Sequence, residues 1–215
     1  EMIRILKEAS AMGYYTILEG PYILSPMMAQ ATADAIFGPA AIYPCDGLIL
    51  TAYPGSDVVK PFLPFCKDGK KDLFLVVRTS NKSAPEIQDL LTGSRLVHAA
   101  AADIINRFGA DNVGRSGYAR VGVLAGANSA QSLKNLRSKY PRLFLLLDDM
   151  DYSGCNAKLC ADAFDKFGHG AAVCAGPTIT CAWKQAESDG TDYLEHATAA
   201  AERLKKNLTR YTTIL

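Results

Sequence analysis

Apolar residues gather into six short runs along this chain: 14-YYTILEG-20, 46-DGLILTA-52, 72-DLFLVVRTS-80, 120-RVGVLAGA-127, 142-RLFLLLD-148 and 170-GAAVCAG-176. Each is apolar nearly throughout rather than alternating with polar residues. That pattern suits strands covered on both faces, as in a parallel sheet. Between the runs the spacing changes to that of helices. Ser25-Pro26 places a capping residue before Pro at the first helical position, ahead of 27–37 and Gly38. Ser83-Ala84-Pro85-Glu86 has capping-box spacing and predicts a helix carrying Ile87, Leu90 and Leu91. Asn128 precedes a predicted helix with Leu133 and Leu136 on one side, ending at Pro141. A closing helix turns Tyr193, Leu194, Ala197, Ala201, Leu204 and Leu208 inward, with Glu202, Arg203, Lys205 and Lys206 outside. Residues 1–12, with Ile3, Leu6 and Met12, predict a leading helix ended by Gly13.

Regular β–α alternation predicts an α/β protein, and two architectures are open. One is a doubly wound open sheet. The other is a (β/α)8 barrel, in which case two β–α units lie upstream of Glu1 or are absent. No repeat or linker divides the chain, which reads as a single domain over 1–215. Neither GxGxxG nor GxxxxGK[ST] follows the first run, which disfavours a Rossmann or P-loop protein. A net charge of +1 leaves no footprint for nucleic acid or an acidic membrane surface. No apolar run approaches the roughly 20 residues a membrane span needs. The six cysteines, at 45, 66, 155, 160, 174 and 181, show no CxxC spacing, so a reduced, cytoplasmic protein is expected.

In either architecture the chemistry belongs at the carboxyl ends of the strands. Those ends are Glu19-Gly20-Pro21, Thr51–Pro54, Arg78-Thr79-Ser80-Asn81, Gly126–Asn128, Asp148–Asp151 and Cys174–Pro177. The runs 46-DGLILTAYPGSDVVKPFL-63, 74-FLVVRTSN-81 and 121-VGVLAGANSAQSLKNLR-137 carry a family likeness. They resemble the bacterial class 2 orotidine 5'-monophosphate decarboxylases, which read N-P-Y-x-G-x-D…PFL, V-R-T-S-N and V-G-A-T-x-P-E-x-L-x-x-L-R at the fourth, fifth and sixth strands. The likeness continues in register through 170-GAAVCAGPTITCAW-183. It implies a (β/α)8 TIM barrel, of which this chain carries about six β–α units and lacks the first two strands. It also implies a homodimer, conversion of orotidine monophosphate to uridine monophosphate in pyrimidine synthesis, and no cofactor or metal.

The same register implies a damaged site. The family's third strand ends in D-x-K-x-x-D, whose first Asp crowds the substrate carboxylate and whose Lys stabilises and protonates the carbanion left by CO2. The first Asp falls on Glu19, the Lys on Pro21 and the second Asp on Leu24. The family's phosphate-binding loop and Arg fall on 148-DDMDYSGC-155 and Pro177. Backbone N–H groups and an Arg attract a phosphate, whereas Asp148, Asp149 and Asp151 repel it by about 1–4 kcal/mol per contacting pair. What remains is Glu19 as a lone carboxylate and Arg78, Ser80 and Asn81 as binding groups, with Ser80 in the place of the residue that hydrogen-bonds the pyrimidine. The expected ligand is a nucleotide or nucleobase, and the expected partner a second copy or an intact paralogue. Activity is expected to be absent or weak. A non-catalytic scaffold, or a barrel rebuilt for a phosphate-free ligand, are the alternatives.

Other clusters read more plainly. The three aspartates with Glu19 have the chemistry of a hard-cation site, but an acidic loop reads first as solvated surface or a helix cap, and no metal is expected. Cys155 and Cys160 are five apart and read as structural thiols. His98, His169 and His196 read as surface or interhelix residues, and Lys67, Lys70 and Lys71 as a solvated helix end.

Overall fold

The computed structural model describes residues 1–20, 22–67, 70–148, 150 and 154–212. All six apolar runs contain strands. In chain order the elements are α1 (Met2–Ala11), β1 (Ile17–Glu19), α2 (Pro26–Phe37), β2 (Gly47–Thr51), α3 (Leu63–Lys67) and β3 (Asp72–Arg78). There follow β4 (Leu91–Thr92), β5 (Arg95–Leu96), α4 (Val97–Ala110), β6 (Val121–Gly126), α5 (Ala130–Lys139) and β7 (Leu145–Asp148). The chain continues through α6 (Ala157–Ala161), β8 (Ala171–Val173), α7 (Pro177–Thr180), α8 (Ala182–Gln185) and α9 (Tyr193–Thr209). No helix among the described residues is long and apolar enough to cross a membrane.

The residues group into two compact units. The first comprises Glu1–Val77, Gln88–Leu124 and Arg142–Phe144. Its strands lie in the order β1-β2-β3-β6. β1 and β2 run parallel with Ile17 opposite Gly47, and β2 and β3 run parallel with Gly47 opposite Asp72. Leu73 N–H donates to Arg120 O at 2.8 Å, which joins β3 to the start of β6. Leu73, Phe74 and Leu75 are consecutive and all buried, as a strand covered on both faces requires. With Leu48, Phe62, Ile105, Val121 and Val123 they make the core, each side chain contributing about 1.5–3 kcal/mol by leaving water. α2 begins as its sequence predicts: Ser25 Oγ accepts from Met28 N–H at 3.3 Å, with Pro26 first in the helix.

The helix predicted to carry Ile87, Leu90 and Leu91 is absent. Ala84–Glu86 form one 3-10 turn, and Ser83 makes no side-chain cap. The chain instead enters the antiparallel hairpin β4–β5, with Thr92 opposite Arg95 and Gly93 at φ +66°. Ile87, Leu90 and Leu91 are exposed. A two-residue Gly-Ser turn matches the twist of a hairpin, and it prevails over a capping box that Pro85 and a short apolar run leave without a helix to cap. α4 then starts at Val97, and its capping position, Leu96, makes no side-chain cap.

The second unit comprises Arg78–Ile87, Ala125–Pro141 and Leu145–Leu215. It holds the last residue of β3, the last two of β6, and β7 with β8, which run parallel with Leu145 opposite Ala171. Ser129 caps α5 by accepting from Ser132 N–H, and Leu133 and Leu136 are buried as expected. α9 packs on α6, α7 and α8 and buries Ala200 and Leu204. Tyr193 and Leu194 in its first turn stay exposed, so the apolar stripe is shorter than its periodicity predicts. Periodicity gives the facing direction, not the extent of the surface available to cover it.

Candidate functional site

The carboxyl ends of β3 and β6, both in the second unit, carry a buried polar network. Arg78, only 8% exposed, ends β3. Its Nη1 donates to Asn128 Oδ1 at 2.8 Å and to Thr79 O at 3.3 Å. Asn128 Nδ2 in turn donates to Ser80 O at 2.8 Å. The amide thus accepts from the guanidinium with one atom and fixes the backbone of Ser80 with the other, so its orientation is settled by both partners. Ser80 is 7% exposed, and Thr79 Oγ1 donates to Asn81 Oδ1. Gly126 makes the approach of the two strand ends possible: a Cβ there would sit 2.6 Å from Ser80 N. Of the residues predicted as binding groups, Arg78 and Ser80 therefore belong to one network, while Asn81 is exposed beside it. Asn128, expected only to precede a helix, is the link, because Ser129 supplies the cap.

The remaining strand ends in this unit bear no guanidinium. α7 opens with Pro177, and the next hydroxyl, Thr178 Oγ1, is buried and donates to Met150 O at 3.4 Å. Asp148 ends β7, partly exposed; Asp149 and Asp151 lie outside the described residues.

In the first unit Glu19 ends β1 with its side chain exposed, and Gly20 N–H donates to Ile49 O at 2.9 Å. Ile23 is buried and Leu24 is 74% exposed; Pro21 lies outside the described residues. One cluster of ionisable groups in this unit lies at the opposite, amino-terminal ends of its strands. Asp72 accepts from the Tyr15 hydroxyl and from Arg120 Nη1, the latter at 3.0 Å. Asp46 Oδ2 accepts from Thr16 N–H at 2.7 Å and from Thr16 Oγ1 at 3.0 Å. Burial, then the hydrogen bond to Asp72, raises the Tyr15 phenol far above its ordinary range. Burial, with the Asp72 carboxylate adding to it, pushes the Cys66 thiol up to about 12. Sequence reading missed this set, since its members lie up to 105 positions apart, from Tyr15 to Arg120.

Two of the histidine side chains lie against acceptors. His98 Nδ1 lies 3.0 Å from both Gln88 O and Asp89 Oδ1, and His196 Nε2 lies 3.0 Å from Asp192 Oδ2. Among the described residues no group of three or more His, Cys, Asp or Glu could hold a metal ion.

No model of a protein family matches the chain. Individual relatives do. An orotidine 5'-phosphate decarboxylase of Rhodopirellula baltica is 26% identical over 95% of this chain and 70% of its own length. One of Clostridium perfringens is 30% identical over 76% of this chain and 56% of its own, and one of Clostridium novyi 27% identical over 77% and 58%. These relatives support the orotidine 5'-phosphate decarboxylase family for this chain. The chain thus spans little more than half the length of these two clostridial decarboxylases. The structure of Leishmania donovani OMP decarboxylase has the same fold, with a TM-score of 0.74 at 20% identity over 98% of this chain and 73% of that one. The fold is accordingly the α/β TIM-barrel fold of the decarboxylases, of which six parallel-sheet strands are present here. In this chain the run 19-EGPYILS-25 offers one carboxylate and no cationic side chain.

Proposed function

We propose that this chain keeps the decarboxylase scaffold without the family's decarboxylation, and that its polar network serves to bind a base-like ligand lacking phosphate. The observation that carries the first part is the end of β1. Expelling CO2 from a nucleotide without a cofactor needs a fixed ammonium beside the developing negative charge, where it acts in a water-poor site. After Glu19 comes 20-GPYILS-25, with no cationic side chain, and Leu24 presents exposed carbon where the likeness sets the second acid. Pro177 at the start of α7 supports the loss of phosphate affinity, having neither a guanidinium nor a backbone N–H to offer. The second part rests on buried Arg78 and Ser80 and the half-buried Asn128 that links them by directional hydrogen bonds, an arrangement suited to the edge of a planar heterocycle.

The test is orotidine monophosphate turnover by the full-length protein, run beside a thermal-shift series of uracil, uridine and uridine monophosphate. The expected result is no turnover, with the nucleobase or nucleoside raising Tm at least as much as the monophosphate. Turnover at rates ordinary for the family overturns the proposal. Exposed Tyr22, Leu24 and Met27 near the start of α2 support pairing with a second copy or an intact relative, and the six thiols support a reducing, cytoplasmic setting.

A further inference from the structure

Cys155 and Cys160 stand together in the second unit. Cys155 lies just ahead of α6 and Cys160 within it. Their sulfurs are 3.4 Å apart, and the side chains are 4% and 0% exposed. The backbone holds this arrangement. Asn156 Oδ1 accepts from Leu159 N–H at 3.1 Å, and Cys160 N–H donates to Asn156 O at 3.0 Å. The intervening residues are thereby wound into the turn that brings position 160 back over 155. A disulfide requires sulfurs about 2.05 Å apart. Closing the remaining ~1.4 Å is within reach of small rotations about the two Cα–Cβ bonds.

We infer that Cys155 and Cys160 form a site of oxidative modification, closing to an intramolecular disulfide when the protein meets a peroxide. Cys155, the more exposed of the two, reacts first. Its thiolate sulfur attacks one peroxide oxygen and the O–O bond breaks. Cys155 becomes a sulfenic acid, and the departing hydroxide takes up the thiol proton as water. The Cys160 sulfur then attacks the sulfenic sulfur. The S–O bond breaks, the S–S bond forms, and a second water leaves with the Cys160 proton. Two thiols lose two electrons in all, and one peroxide becomes two waters. Burial narrows the oxidant to a small one such as hydrogen peroxide, since a residue 4% exposed leaves no room for a bulky disulfide such as oxidised glutathione. The bridge would tie the connection leaving β7 to α6, and it does not depend on whether the chain turns over a nucleotide.

Trypsin makes the test specific, because Lys158 separates the two cysteines. The full chain is treated with hydrogen peroxide, blocked with iodoacetamide and digested without reductant. Peptides 143–158 and 159–166 are expected as one linked species that dithiothreitol resolves, as the main disulfide in the map. Cys160→Ser is expected to leave Cys155 as a sulfenic acid, trapped by dimedone at a yield several-fold above wild type. Recovery of both peptides singly alkylated, with oxidation confined to peptide 167–184 and its Cys174 and Cys181, overturns the inference. So does over-oxidised Cys155 without any link. The wild-type map stands even where the substituted chain fails to fold.

Discussion

The amino-terminal ends of β2, β3 and β6 and the carboxyl ends of β3 and β6 are both polar, but they are built from different chemistry. In the first region a carboxylate is the organising group: Asp72 draws in the Tyr15 hydroxyl and the Arg120 guanidinium. In the second region an amide organises. Asn128 receives a donor from Arg78 and passes one on to Ser80 O. A carboxylate gathers donors by charge and is costly to remove once they depend on it. An amide imposes direction, since it must accept on one side and donate on the other. In barrel enzymes the amino-terminal face serves stability and the carboxyl face carries the site, so the first network is expected to hold the fold and the second, as proposed above, a ligand.

Three experiments would sharpen or break that contrast. Asp72→Ala should have the largest effect, because it strands a partly buried guanidinium and a phenol. A loss of about 3–5 kcal/mol in unfolding free energy is expected by urea denaturation, with Asp72→Asn recovering part of it. Asn128→Ala should cost less, about 1–3 kcal/mol, because Arg78 keeps Thr79 O as an acceptor. It should also abolish any nucleobase-dependent thermal shift, which Asp72→Asn should leave in place. Equal costs for the two alanine variants would remove the distinction drawn here. The smallest effect is a pH slope from Cys66. Its folded thiol titrates at about 12, above the ordinary thiol range, because burial and then Asp72 disfavour the thiolate. The folded state therefore keeps a proton that the unfolded state releases. Stability is complete below the ordinary thiol pKa and falls as pH rises toward 12, by at most about 1.4 kcal/mol per pH unit. Cys66→Val should flatten that slope in denaturation curves taken between pH 8 and pH 10.

The strands were readable because a sheet buried on both faces writes itself as uninterrupted aliphatic residues, as in 73-LFLVV-77. The start of α2 was readable because Ser25-Pro26 is a local signal with a local cause. The hairpin at 91–96 was misread although its Gly-Ser turn was present, since a capping-box spacing nearby suggested a helix. α4 was missed because Leu96 is its capping position and offers no side-chain acceptor. Within the site, Arg78 and Ser80 could be located from their place after a strand. Their link to Asn128 spans 50 positions and depends on a glycine at 126 that is legible only once the strands are paired. The Asp72 network escaped for the same reason: long-range pairing leaves no periodic trace.

The hairpin has a practical consequence. Its tip, Gly93-Ser94, is exposed, turns on a glycine with φ +66°, and joins two strands of only two residues each. Little buried surface depends on chain continuity there, so it is the natural seam at which to open the protein: for an epitope tag, a fluorophore, or new termini in a circular permutant.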